Sequence, residues 1–126
     1  MIVGIGTDIV SIPRIRNALE RNPGTFSERV LSLSEREECA SVRDAARFVA
    51  KRFAAKEAFA KAFGTGLRSP VTLHAVAVAH DDLGKPLYQL NPALQALMQQ
   101  RGWVSHLSIS DEKDSVVAFA LIEKIG

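Results

Sequence analysis

The sequence predicts an α+β fold, a largely antiparallel sheet with helices packed on one face, and three observations predict it. The chain opens on an apolar, glycine-punctuated segment, Met1–Ile12, that reads as a strand. Its middle holds the longest periodic run, ARFVAKRFAAKEAFAKAF, with no glycine or proline inside. It closes on two alternating segments around an acidic turn. The order strand, several helices, two strands, helix, two strands suits a mainly antiparallel sheet covered on one side. A length of 126 residues is enough for one domain, 1–126, with one core.

Each element has its own reason. Met1–Ile12 is rich in Ile, Val and Gly and is expected to be buried on both faces. Ser11-Ile12-Pro13 supplies an N-cap and an early proline for a short helix to about Glu20, which Asn22-Pro23-Gly24 stops. Phe26–Leu31 reads as another helical turn or two. Ser34-Glu35-Arg36-Glu37 matches a capping box and starts a helix to about Ala40. The long helix runs from Asp44 to Phe63 and Gly64 ends it. Val71–His80 alternates as a strand, Asp81–Gly84 turns the chain, and Pro86–Leu90 returns it. Asn91-Pro92 caps a helix that ends at Gly102. Trp103–Ser110 and Ser115–Lys124 complete a hairpin around Asp111–Asp114.

Composition removes several function classes. Apolar residues make up 47% of the chain, which argues against disorder. Charge interrupts every apolar run before it reaches the roughly 20 residues of a membrane span, and no secretory signal is visible at the amino terminus. The single cysteine, Cys39, has no partner for an internal disulfide, which fits a reducing cytoplasm and a filler role on a helix. A net charge of +2 is too small to argue for nucleic acid.

Two carboxylates stand out. Ile2, Gly4, Gly6, Asp8 and Val10 share one face of the first strand, so Asp8 sits on an apolar face beside two glycines that admit a close neighbour. Backbone N–H groups or an arginine would satisfy Asp8 as well as a ligand would. On the long helix Val49, Phe53, Glu57, Ala60 and Gly64 form one stripe, and Glu57 interrupts it. If strand and helix pack, the two carboxylates repel unless a cation lies between them. Two hard oxygen donors suit Mg²⁺, completed by water and phosphate, and Lys51, Arg52, Lys56 and Lys61 would then serve phosphate. A plain Glu57–Lys61 pair on a solvated basic face, worth about 0.3–0.5 kcal/mol, explains the spacing equally well.

The residues also carry a resemblance. FAAKEAFAKAFGTG (Phe53–Gly66) and GIGTDIV (Gly4–Val10) resemble the bacterial holo-acyl-carrier-protein synthases, the small trimeric branch of the 4′-phosphopantetheinyl transferases. The likeness continues through LGKP (Leu83–Pro86) and HLSIS (His106–Ser110), four blocks in order over nearly the whole chain. It implies transfer of the phosphopantetheine arm of coenzyme A to a serine of apo acyl carrier protein, releasing adenosine 3′,5′-bisphosphate in support of fatty acid biosynthesis. It makes Asp8 and Glu57 the Mg²⁺ ligands and adds Lys61 as a catalytic residue facing the diphosphate. It assigns coenzyme A contacts to Arg52, Lys56, Lys61, Gly64, Gly66, Lys85, Pro86, His106 and Ser108, with Arg52 and Lys56 open to a structural role. It also implies a homotrimer with sites at subunit boundaries.

The carrier-binding surface follows the first helix. Arg14, Ala18 and Arg21 lie at i, i+4 and i+7, and the resemblance presents this stripe, extended by Phe26 and Arg29, to an acidic carrier helix. A non-catalytic module binding coenzyme A or a nucleotide would not need both carboxylates. A nucleic-acid-binding sheet would show exposed aromatics, whereas the six Phe residues fall largely at helical core positions.

Overall fold

The computed structural model describes residues 1–126. In chain order the elements are β1 (Ile2–Ser11), α1 (Ile12–Arg21), α2 (Thr25–Val30), α3 (Leu33–Cys39), α4 (Ala45–Phe63), β2 (Val76–His80), β3 (Pro86–Leu90), α5 (Pro92–Arg101), β4 (Trp103–Asp111) and β5 (Ser115–Lys124). All strand pairs are antiparallel. They form two sheets rather than one, a three-stranded β1-β5-β4 sheet and a separate β2-β3 pair. No helix is long and apolar enough to cross a membrane.

The long helix α4 is the centre of the molecule. Alanine and straight-chain residues favour it intrinsically. Asp44 caps its first turn by accepting from the Arg47 N–H, and left-handed Gly64 closes its end by donating to the Ala60 carbonyl. It lies against β1 and the centre of β5 and contributes more of the one contiguous core than any other element. On β5, Val116, Ala118, Ala120 and Ile122 face it and are fully buried. Burial of a side chain such as Phe59 or Ile122 contributes about 1.5–3 kcal/mol each.

Glycine sets the spacing between α4 and β1. A Cβ at Gly6 would overlap the Ala58 carbonyl oxygen, and one at Gly4 would overlap that of Ala62. The strand and helix backbones therefore touch where the sequence places two glycines on one face. Asp8 is the next residue on that face, paired across the sheet with Ala118.

Several expectations need correction. β1 is buried on one face only: Ile5 and Ile9 on the other are 58% and 69% exposed. They continue into Phe119 on β5, since Ile5 pairs with Leu121, Thr7 with Phe119 and Ile9 with Val117. The capping box begins at Ser32, not Ser34. The Ser32 hydroxyl accepts from Glu35 N, and the Glu35 carboxylate accepts from Ser32 N. Both serines precede a glutamate at the right spacing, and Glu35 wins because its carboxylate is drawn inward by basic residues of α4. The strand expected from Val71 starts only at Val76. The preceding residues form a turn in which Thr72 accepts from the Ala75 N–H.

Replacing Gly6 with alanine should lower unfolding free energy by about 2–4 kcal/mol, because the overlapping group is backbone and has no rotamer to change. Urea unfolding measures this; a loss below about 1 kcal/mol would mean that α4 backs away from β1 freely.

Candidate active site

Asp8, Glu57 and Lys61 meet in one open cleft of about 380 Å³, whose walls also include Ile9, Arg14 and Phe53. β1 brings Asp8, α4 brings Glu57 and Lys61 one turn apart, and the start of α1 brings Arg14. A larger depression of about 450 Å³ lies beside Ser32, Arg36 and His74, but no carboxylate lines it. Size does not mark the chemistry here; the convergence of charge does.

Lys61 does not form the helix pair that would have explained Glu57 away. Its ammonium turns to β1, donating to the Thr7 carbonyl at 2.8 Å and to Asp8 Oδ1 at 3.2 Å. The Asp8 side chain keeps 17% of its surface in contact with solvent and Lys61 keeps 51%. No hydrogen bond or ion pair within the chain reaches the Glu57 carboxylate. Burial pushes the Glu57 carboxyl above its ordinary range, the charge of Asp8 pushes it further, and Lys61 offsets part of the rise.

This donor set fits a hard divalent cation. Two carboxylates line one cleft, one of them has no protein partner, and the proton affinity of that carboxyl is raised by its neighbour's charge. No cluster of three or more His, Cys, Asp or Glu side chains is gathered anywhere in the molecule. Such a cation would rely on water and substrate for most of its shell, which suits Mg²⁺ better than a metal needing a complete protein cage.

The remaining sequence candidates separate. Lys56 does not enter the cleft. It is fully buried, and its ammonium donates to Glu35 Oε1 at 2.5 Å and to the Val30 and Leu73 carbonyls at 2.7 Å each. With three donors used, it has none left for a phosphate. Arg52, 3% exposed, donates to Glu35, Glu38 and the Val78 carbonyl. It touches only a small depression shared with Lys51 and His80. Of the two roles open to these residues, the structure gives both the structural one. The reason is Glu35, a buried carboxylate that sequence reasoning missed because it looked like part of a cap. Burial works to raise its pKa, and the ammonium of Lys56 with the N–H donors of Ser32 and Val78 brings the net shift below the ordinary range.

Gly64 and Gly66, both at positive φ, follow the end of α4, with their N–H groups on the Ala60 carbonyl. Lys85 and Pro86 belong to the β2–β3 hairpin. His106 and Ser108 project from β4 on the exposed face of the main sheet, where His106 meets Glu123 at 3.1 Å. None of these six lines the Asp8–Glu57 cleft within one chain. Arg14, Arg21 and Arg29 are exposed and Ala18 is half-buried, while Phe26 packs its ring against the core.

The model of the 4′-phosphopantetheinyl transferase superfamily matches residues 4–120. The chain belongs to this superfamily. A holo-[acyl-carrier-protein] synthase of Aromatoleum aromaticum is 60% identical over 98% of this chain and 99% of its own. The crystal structure of the holo-[acyl-carrier-protein] synthase from Neisseria meningitidis is 45% identical, with a TM-score of 0.94 over 98% of this chain and all of that one. A Bacillus anthracis holo-(acyl-carrier-protein) synthase solved with CoA (3′,5′-ADP) is 38% identical, with a TM-score of 0.84 over 99% of each chain. For a phosphopantetheinyl transferase of this shape, the α4–β1 seam carries the cleft and Lys56 braces it from behind.

The like-charge pair predicts a trade between stability and activity. Because folding raises the pKa of Glu57, folding favours its protonated form; that contribution is complete below the unfolded value of 4.5 and is lost as pH rises through the folded value. In the presence of a chelator, Glu57→Gln should therefore melt higher than wild type at pH 8, by under about 1 kcal/mol for a half-exposed pair. The gap should narrow as pH falls toward 4.5, the unfolded value of Glu57. Calorimetry across that range checks the sign, and a lower melting temperature at pH 8 would contradict it.

Proposed function

We propose that this chain is a holo-acyl-carrier-protein synthase, moving 4′-phosphopantetheine from coenzyme A to a serine of apo acyl carrier protein and so serving fatty acid biosynthesis. The observation that carries the reading is the cleft in which Asp8 and a partnerless Glu57 face Lys61, with Arg14 of α1 at its edge. In the reaction the serine oxygen bonds to the phosphorus nearest the pantetheine. The serine proton passes to a base in the cleft, the bond from that phosphorus to the bridging oxygen breaks, and adenosine 3′,5′-bisphosphate leaves.

Asp8 and Glu57 would hold Mg²⁺, which when bound polarises the diphosphate and offsets the charge that develops on the departing phosphate. Lys61 needs only a side-chain rotation to pass from Asp8 to a diphosphate oxygen, since half of its surface already faces solvent. Arg14 reaches from cleft to surface, so the same helix that lines the reaction site also meets the carrier. Arg21 lies two turns along α1 and Arg29 on α2; both are exposed and free to steer an acidic helix into register. The reading treats the chain as one domain acting in the cytoplasm, where the unpaired Cys39 stays reduced.

A homotrimer is part of the same reading. The sheet face turned away from α4 presents Ile5, Ile9 and Phe119 to solvent. In register beside them stand His106, paired with Leu121, and Ser108, paired with Phe119. An apolar face of this kind favours burial against another copy. Its polar margin would then carry His106 and Ser108 to the nucleotide end of a coenzyme A bound next door, with Lys85, Pro86, Gly64 and Gly66 as further contacts.

Incubation with coenzyme A, Mg²⁺ and purified apo acyl carrier protein should raise the carrier's mass by one phosphopantetheine group. Absence of the adduct with every bacterial carrier tried would refute the assignment. In that assay Glu57→Gln should lose at least about 100-fold in kcat/KM. Arg14→Glu should lose about tenfold through the carrier while coenzyme A binding persists. For assembly, sedimentation velocity should give a trimer that Phe119→Glu dissociates; a monomeric wild-type chain would reject the sheet-face reading.

A further inference from the structure

We propose that Glu35 is a positioning residue for the reaction, acting through Lys56 to fix the roll of α4 and so the direction of Glu57. The inference rests on the reading of Glu57 as a metal ligand. Its evidence lies outside the cleft, in a buried network that the chemistry does not use.

Glu35 is fully buried and gathers four donors from three parts of the chain, two of them on α4. They are Ser32 N at 2.9 Å, Val78 N at 2.9 Å, Arg52 Nη1 at 3.3 Å and Lys56 Nζ at 2.5 Å. Lys56 in turn binds the Val30 carbonyl at the end of α2 and the Leu73 carbonyl before β2. One point on α4 is thus tied to α2, to α3 and to the turn leading into the second sheet. That point is the residue immediately before Glu57.

The opposite side of α4 cannot do this work. There the helix meets β1 through Gly4 and Gly6, and its buried side chains on that side include Ala54, Ala58 and Ala62. Such a surface holds the backbones close but offers few knobs to resist rotation about the helix axis. A roll of about 20° moves a side-chain tip on the rim of a 10–12 Å helix by roughly 2 Å, and a misplacement of about 1 Å at a reacting centre can cost 100-fold. Lys56 and Glu57 are consecutive, about 100° apart around the axis. Locking one therefore aims the other. A buried ion pair is a poor device for stability alone, because apolar residues of the same volume often do as well. It does specify orientation, since each of its hydrogen bonds has a direction.

The test compares the full-length wild type with Lys56→Met, Glu35→Gln, Glu57→Gln and a core control, Leu94→Ala, all well below their melting temperatures. Mn²⁺ binding without substrate is read by electron paramagnetic resonance, and kcat and KM are measured for the carrier. Lys56→Met keeps the side chain's length and leaves Glu35 three donors, so it carries the test if Glu35→Gln does not fold. The expected result is an Mn²⁺ Kd raised, and a kcat lowered, at least about tenfold in Lys56→Met, with carrier KM within about twofold. Leu94→Ala should lose melting temperature and keep both values. Unchanged Mn²⁺ affinity and kcat in Lys56→Met, or equal losses in Leu94→Ala, would overturn the positioning role while leaving the metal reading intact. If Glu57→Gln binds Mn²⁺ as well as wild type, the metal reading fails and takes this inference with it.

Discussion

The seam between α4 and β1 is the constraint on which the rest of the molecule depends. Gly4 and Gly6 give up their side chains so that the strand can lie against the carbonyl oxygens of Ala58 and Ala62. That contact removes the room a core would ordinarily fill with large side chains. It puts Asp8 beside Glu57 in a way no wider helix–sheet packing would. The glycines thus set where the carboxylate cleft lies as well as how the strand packs.

Two lysines on the same helix show how position decides role. Lys56 and Lys61 are chemically identical and fewer than two turns apart. Lys56 is enclosed by three acceptors, its charge is matched by Glu35, and it has become part of the scaffold. Lys61 is half exposed, with one carboxylate and one carbonyl as partners, and it keeps the freedom to exchange them. The buried network has every donor of Lys56 satisfied, while Lys61 can exchange its partners with solvent.

The main sheet divides labour in the same way. Its inner face, Val116 to Ile122 in alternate positions, is sealed by α4 and contributes cohesion. Its outer face is apolar at β1 and β5, with Ile5, Ile9 and Phe119 exposed, and polar at β4. Of the coenzyme contacts that the family resemblance implies, His106 and Ser108 fall on that outer face and Lys85 and Pro86 at the β2–β3 hairpin, while Lys61 lines the carboxylate cleft.

Local chemistry determined a good deal from the sequence alone. The 3.6-residue period of α4 with its Gly64 stop, the caps of α1 and α5, and the alternation of β4 and β5 were legible because each depends on near neighbours. So was the shared face of Gly4, Gly6 and Asp8. Contacts between distant segments were not legible. The choice of Ser32 over Ser34 as a cap, the exposure of one face of β1 and the split into two sheets were settled by packing. So was the burial of Lys56, where a motif read as one basic surface separated into a buried lysine and a half-exposed one. Periodicity says which side of a helix a residue occupies. Only tertiary structure says what lies opposite, and for an ionisable group the burial and partners found there decide whether it is scaffold or site.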